Sequence, residues 1–144
     1  MSHQTNPANP AEPAQEAWIL QTGAVTAVGD SAVQTATSVR AGLNRYREST
    51  FKNKRGDHMK LALFPDYALP PLNHELALEL TSRQQRMLQL ADIALKEVKP
   101  FLPRQAIPCL LAGPEPFAGK PSPVAGIFAT CVMRQSGLVF DRAD

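Results

Sequence analysis

Thirteen prolines divide this 144-residue chain into short segments and limit the length of any helix or strand that it can form. They cluster near the start, around residues 65–71 and from 100 to 123. Because proline has no backbone donor and its ring clashes with a preceding helical turn, helices and strands are predicted to end at these clusters. The composition is otherwise ordinary, with 44% hydrophobic and 19% charged residues. This balance predicts a soluble globular domain rather than a disordered or collagen-like chain.

The amino terminus and the cysteines indicate the cellular compartment in which the protein is expected to function. Met1 to Glu16 has neither the basic start nor the apolar stretch of a secretory signal, and it is predicted to be a disordered tail. No apolar run approaches the roughly 20 residues of a membrane span. Cys109 and Cys131 have no His or Cys around them at metal-ligand spacing, so neither a disulfide scaffold nor a zinc site is indicated. We expect a cytoplasmic protein with reduced thiols.

The sequence of the first half of the domain predicts one helix between extended segments. Residues 17–22 are rich in strand-forming side chains and predict a strand, followed by a loop over 23–30. Ser31 and Gln34 form a capping box for a helix over about 32–41, with Gly42 as its left-handed cap. Its apolar stripe would be Ala32, Ala36, Val39 and Leu43. Residues 44–60 are predicted to be a basic loop, and Lys60 to Phe64 a short strand that Pro65 ends.

The second half repeats the alternation of helix and strand. Thr81 and Gln84 form a second capping box, for a helix from Ser82 to Lys99. Its apolar face would carry Met87, Ala91, Ala94, Leu95 and Val98, and a largely solvated face Arg83, Gln85, Arg86, Gln89, Asp92 and Lys96. Ile107 to Ala112 predicts a strand buried on both faces. A helix from Ser122–Pro123 to Gly137 would bury Val124, Ile127, Phe128, Cys131 and Gln135, and Leu138 to Phe140 would form a last strand. This order predicts an α/β fold with an at least partly parallel sheet.

The segment from Ile19 to Gly29, Ile-Leu-Gln-Thr-Gly-Ala-Val-Thr-Ala-Val-Gly, resembles the opening of β-ketoacyl synthases in the thiolase superfamily. In that family a strand enters a Gly-Ala-Val-Thr-x-x-Gly turn and then a helix ending in Arg-Ala-Gly, which here is Arg40-Ala41-Gly42. A basic loop, a long helix and a strand at Ile107 to Glu115 follow in the same order, so the resemblance covers roughly residues 17–115. It implies a partial thiolase-like fold, with a mixed or parallel sheet and flanking helices, as a single truncated domain over 17–144.

The catalytic residues of that family have no counterpart here, which predicts a pseudoenzyme without a cofactor or a metal. Cys131 stands in Phe-Ala-Thr-Cys-Val-Met, inside a helical apolar stripe, and lacks the Gly/Ser elbow of the family's nucleophile. A mid-helix buried thiol has no nearby group to lower its pKa, so we expect a core residue, and the same for Cys109. His58 and His74 are interpreted as surface histidines.

The basic segment is the candidate contact surface. Arg45, Arg47, Lys52, Lys54 and Arg55 are interleaved with Tyr46 and Phe51. A solvated loop is the first interpretation, an acidic protein partner the second and nucleic acid the last, because the net charge of the whole chain is only +2. We also expect a protein partner to cover the half of the fold that this chain lacks.

Three functions are compatible with these observations. Ketosynthase-like proteins without evident synthase chemistry occur in type VI secretion gene clusters, and the resemblance implies a non-catalytic co-chaperone or adaptor that loads secreted effectors there. The first alternative is an amino-terminal fragment of a β-ketoacyl-acyl-carrier-protein synthase. The second is a nucleic-acid binder that uses the basic loop over 45–60.

Overall fold

The computed structural model describes residues 18–112 and 124–141. The helices are α1 (Ala32–Arg40), α2 (His74–Glu79), α3 (Ser82–Val98) and α4 (Val124–Ser136). The strands are β1 (Tyr46–Lys52), β2 (His58–Ala62), β3 (Ile107–Pro108) and β4 (Phe140–Asp141), and short 3₁₀ turns cover Asp66–Ala68 and Lys99–Phe101. The described chain is therefore mixed α/β. The predicted tail over 1–16 and the helix start at Ser122–Pro123 lie outside the described residues.

The three predicted helices are present among the described residues, and most of their end signals operate as expected. At α1 the predicted capping box is only half formed, because the Gln34 side chain accepts from the Asp30 amide (2.7 Å) and not from the Ser31 amide. The hydroxyl of Ser31 accepts a hydrogen bond from the Gln34 amide, and α1 closes at Gly42 with φ +68. Thr81 and Gln84 form both hydrogen bonds of a capping box at the start of α3. Gly137, with φ +67, follows the end of α4.

The core lies where α2, α3 and α4 meet. Its buried apolar side chains are Leu76, Leu88, Phe128, Cys131 and Val132, and partly buried side chains surround them, namely Leu72, Leu80, Met87, Leu95 and Phe140. Two predicted faces need correction. Val39 in the expected stripe of α1 is 64% exposed, whereas Ser38 is buried and donates to the Val28 carbonyl over 2.9 Å. On α3 the supposedly solvated Asp92 is only 5% exposed.

Within residues 18–112 and 124–141, two short sheets are present where the sequence predicts a single one. β1 and β2 form an antiparallel hairpin, and β3 and β4 pair in parallel with Ile107 opposite Phe140. A partly parallel arrangement is thus present, but its strands are only two residues long. The predicted basic loop over 44–60 is wrong, because most of it forms the hairpin.

Of the four predicted strands, those over 60–64 and 138–140 overlap β2 and β4, whereas the other two are largely wrong. Residues 18–22 do not form a strand, since no described strand pairs with them, and strand-forming side chains alone do not make a strand. In the predicted buried strand over 107–112, only Ile107 and Pro108 pair, and Leu110 is fully exposed.

Candidate protein interface

The β1–β2 hairpin carries four of the five predicted contact residues, and the fifth, Arg45, directly precedes β1. Tyr46 lies opposite Ala62, Arg47 opposite Leu61 and Glu48 opposite Lys60. The register then shifts, and Lys52 pairs with His58. Only two residues of the two strands are partly buried, Ser49 and Leu61. The hairpin is therefore almost wholly exposed on both faces.

A hydrogen-bonded turn fixes the tip of the hairpin. The side-chain oxygen of Asn53 accepts from the amides of Arg55 (2.8 Å) and Asp57 (3.0 Å). The Asn53 amide donates to the Asp57 carbonyl over 2.9 Å, and Gly56 adopts φ +88, which glycine tolerates best. Asparagine and glycine at these positions are the sequence signal that would have indicated a hairpin rather than a loop.

The basic side chains of the hairpin point into solvent without acidic partners. Across residues 45–60 there are six basic and two acidic residues, a formal charge of +4, so the rest of the chain carries −2. Within the part of the chain that the structure describes, the ion pairs involve other side chains, and none involves these basic residues. Tyr46 and Phe51 are exposed among them. Four of the five predicted contact residues thus lie on one exposed element, and Arg45 lies at its start.

A second exposed feature is the apolar segment Trp18-Ile19-Leu20. Its three side chains are between 79% and 85% exposed. The backbone directly after it is fixed on α3: a Cβ at Gly23 would overlap the Ala94 carbonyl oxygen, so only glycine permits this approach. The Ala24 amide then donates to the Glu97 carboxylate over 3.2 Å. Three exposed apolar side chains therefore lie a few residues before a backbone that is fixed on α3.

Further apolar side chains are exposed beside the short parallel sheet. Leu110 is fully exposed, and Phe101, Leu111 and Val139 are exposed as well. Cys109, predicted to be a core residue, is only partly buried. Exposed apolar residues in such number are typical of surfaces that another protein covers.

The polar cleft between α3 and α4 is interpreted as structural. It has a volume of about 360 Å³ and is lined by Asp92, Lys96, Lys99, Gln135 and the proline pair 70–71, among others. The Asp92 carboxylate accepts from Lys96 (3.2 Å) and Gln135 (3.4 Å), and Lys99 donates to the Ser136 carbonyl (2.6 Å). These groups bind one another and hold the helices together. Sequence reasoning missed the burial of Asp92, since Gln135 and the proline pair that cover it are distant in sequence.

The thiol and the histidines lie apart from one another. Cys131 is 2% exposed within the core, as predicted. Nδ1 of His58 lies 2.8 Å from the Ser49 carbonyl oxygen within the hairpin, and His74 is the exposed first residue of α2. Among the described residues, no three His, Cys, Asp or Glu side chains are placed to share a metal ion. Likewise, none of the described helices has the length and apolarity to cross a membrane.

Comparison with known proteins gives no relative from which a function could be transferred. No family model, no curated protein and no solved structure matches the chain. The candidate interface therefore has to be interpreted from its own geometry and chemistry.

Proposed function

We propose that this protein is a non-catalytic accessory protein whose role is to bind another protein. The observation that carries the proposal is the exposure of Trp18, Ile19 and Leu20, a few residues before a backbone anchored on α3. Burying one such side chain against a partner stabilises a complex by about 1.5–3 kcal/mol. An isolated chain forgoes this stabilisation, whereas a complex obtains it.

The proposal includes the class of protein and its setting. The resemblance of residues 17–115 to β-ketoacyl synthases supports a ketosynthase-like pseudoenzyme that acts as co-chaperone or adaptor in effector loading for type VI secretion. A non-catalytic role is supported by the position of Cys131, because a thiol packed among Leu88, Phe128 and Val132 is closed to substrates. The proposal includes a cytoplasmic location for this protein.

Affinity purification of the full chain from its own cells, with mass spectrometry of the bound proteins, tests the proposal. We expect a stable complex with a second protein. Trp18 is the single tryptophan of the chain, so its emission should shift to shorter wavelength when the partner covers it. A lone monomer that binds no apolar dye would contradict the proposal.

The fragment alternative makes a different prediction for the gene. If the reading frame continues beyond the codon for Asp144 into an Ala-Cys-Ser elbow and two histidine motifs, the chain is the amino-terminal part of a synthase. The exposed apolar residues would then pack against the same polypeptide. A stop codon directly after Asp144 would favour the accessory protein.

The nucleic-acid alternative rests on the exposed basic and aromatic side chains of the hairpin. It predicts affinity for any oligonucleotide that falls steeply as salt is added, because phosphate contacts release bound counterions. A salt titration with a single-stranded oligonucleotide measures this directly. We favour a protein partner, because the net charge of the whole chain is only +2.

A further inference from the structure

We infer that the β1–β2 hairpin binds an extended acidic segment of the partner protein, which pairs as an additional strand with the outer edge of β2. This inference rests on the proposed protein-binding function and names the chemistry of the partner. Three features of the hairpin support it: an open regular edge, an unbalanced positive charge and a fixed turn.

The open edge comes from the sheet topology. The sheet holds only β1 and β2, and within the described chain no third strand pairs with either of them. Neither strand packs along a described helix. The outer edge of each strand therefore presents backbone N–H and C=O groups that another extended chain can pair with.

The two edges differ in regularity. In β1 the register shifts between Glu48 and Lys52, and the Ser49 hydroxyl donates to the Met59 carbonyl over 2.9 Å while accepting from the Phe51 amide. Such an irregularity bends and twists a strand and makes its edge a poor template. β2 runs from His58 to Ala62 without a shift of its own. The edge of β2 is therefore the better docking site.

The positive charge of the hairpin favours an acidic peptide as the binding partner. Its formal charge of +4 is concentrated in basic side chains that have no acidic partner among the described residues. Two copies of the chain would bring two such charges together, so edge pairing between copies is disfavoured. A nucleic acid would satisfy the charge, but its backbone has no alternating donors and acceptors to pair with β2. An acidic peptide strand satisfies both requirements.

The turn holds the strands of the hairpin in place before a peptide binds. Asn53 bonds the backbone of Arg55 and Asp57, and the left-handed Gly56 closes the turn. A strand held in place before binding loses less conformational entropy when a peptide pairs with it.

The test uses the full chain and fluorescence anisotropy with four labelled probes. The first is a peptide of alternating glutamate and threonine, and the second is the same peptide with every other backbone amide methylated. The third replaces glutamate by lysine, and the fourth is an oligothymidylate. We expect the acidic peptide to bind, and the methylated peptide to bind at least about tenfold more weakly, because methylation removes the donors of the strand ladder.

Matched variants test the charge. The double variant Lys54→Glu/Arg55→Glu should weaken binding of the acidic peptide about tenfold. The double variant Arg40→Glu/Arg104→Glu makes the same change of charge at exposed positions outside the hairpin, and it should retain affinity. Hydrogen exchange of the hairpin amides shows whether each variant keeps the hairpin.

Defined results would overturn the inference. These are equal affinity for the methylated peptide, equal or tighter binding of the lysine peptide or the oligothymidylate, no binding of the acidic peptide, or dimers formed through β2.

The two proposals can fail separately. If Lys54→Glu/Arg55→Glu still captures the same partner from cells as the unsubstituted chain, the hairpin inference fails and the proposed function stands. If the unsubstituted chain captures no partner, the proposed function fails.

Discussion

The carboxylate of Glu97 joins three parts of the chain. It accepts from the Ala24 amide in the first loop and from the Ala32 amide at the start of α1, the latter at 2.8 Å. The first turn of α1 has no acidic residue of its own, so Glu97 of α3 supplies the negative charge that a helix amino terminus favours. This residue therefore fixes the backbone that presents the exposed segment Trp18-Ile19-Leu20.

Replacing Glu97 should loosen that loop. Glu97→Ala leaves two partly buried amides without an acceptor, and we expect a loss of about 1–3 kcal/mol in the free energy of unfolding. Glu97→Gln should lose less, since it retains one acceptor oxygen. Chemical denaturation measures the loss, and hydrogen exchange should accelerate at Ala24 and Ala32. The control Glu48→Ala removes an exposed carboxylate and should change stability by less than about 0.5 kcal/mol; an equal effect in both variants would contradict this role.

The two thiols should differ in reactivity. Cys131 is buried in the core and Cys109 is only partly buried, so alkylation of the native protein should modify Cys109 first. Mass spectrometry after a timed exposure to iodoacetamide measures both. Cys131→Ala should cost about 1 kcal/mol through lost packing and should leave partner binding intact. Faster labelling of Cys131, or an acyl-transfer activity that this variant abolishes, would show that the thiol is functional.

The sequence predicts the burial of Cys131 but not the burial of Asp92, and the difference has a physical reason. An apolar helical stripe marks the buried side of a helix, and Cys131 lies within one. The burial of Asp92 depends on Gln135 and on the proline pair 70–71, which only the folded chain brings to it. Helical spacing alone cannot indicate a partner 43 residues away.

Among the described elements, the hairpin contributes no side chain to the core. Isolated two-stranded hairpins are at best marginally stable in water, so its turn has a large share in holding it together. The left-handed glycine of that turn and the one after α4 are a natural pair for comparison. Gly56 closes the hairpin, and Gly137 ends a helix that packs in the core.

Substitution of these two glycines should separate the hairpin from the core. Both Gly56→Ala and Gly137→Ala strain a residue with positive φ by about 1–2 kcal/mol. Gly56→Ala should remove hydrogen-exchange protection from β1 and β2 while the melting temperature stays nearly constant. Gly137→Ala should lower the melting temperature of the core. A large fall in melting temperature for Gly56→Ala would show that the hairpin is part of the cooperative core.

The accuracy of prediction also differs between elements. Helix ends are specified by neighbouring residues, which is why Ser31, Thr81 and Gly137 indicate them correctly. Strands need partners from elsewhere in the chain, and so residues 18–22 and Leu110 were placed in strands that the described chain does not form. The hairpin was missed because its side chains are polar, although its turn residues are typical.

At the scale of the whole molecule, a small core stands beside many exposed apolar side chains. The buried apolar side chains come from α2, α3 and α4, whereas exposed ones lie before and within α1, in and after the hairpin, and around β3 and β4. Exposed apolar patches bind environment-sensitive dyes. We therefore expect the isolated chain to bind such a dye, and the addition of its partner to displace the dye in proportion to the complex formed.

The mass of the protein purified gently from its own cells, measured by light scattering, tests the central claim most directly. The chain alone has a mass of 15.7 kDa. The proposed function predicts a single species whose mass exceeds this value by that of a second, different protein. A monodisperse species at 15.7 kDa with no bound protein would contradict the account.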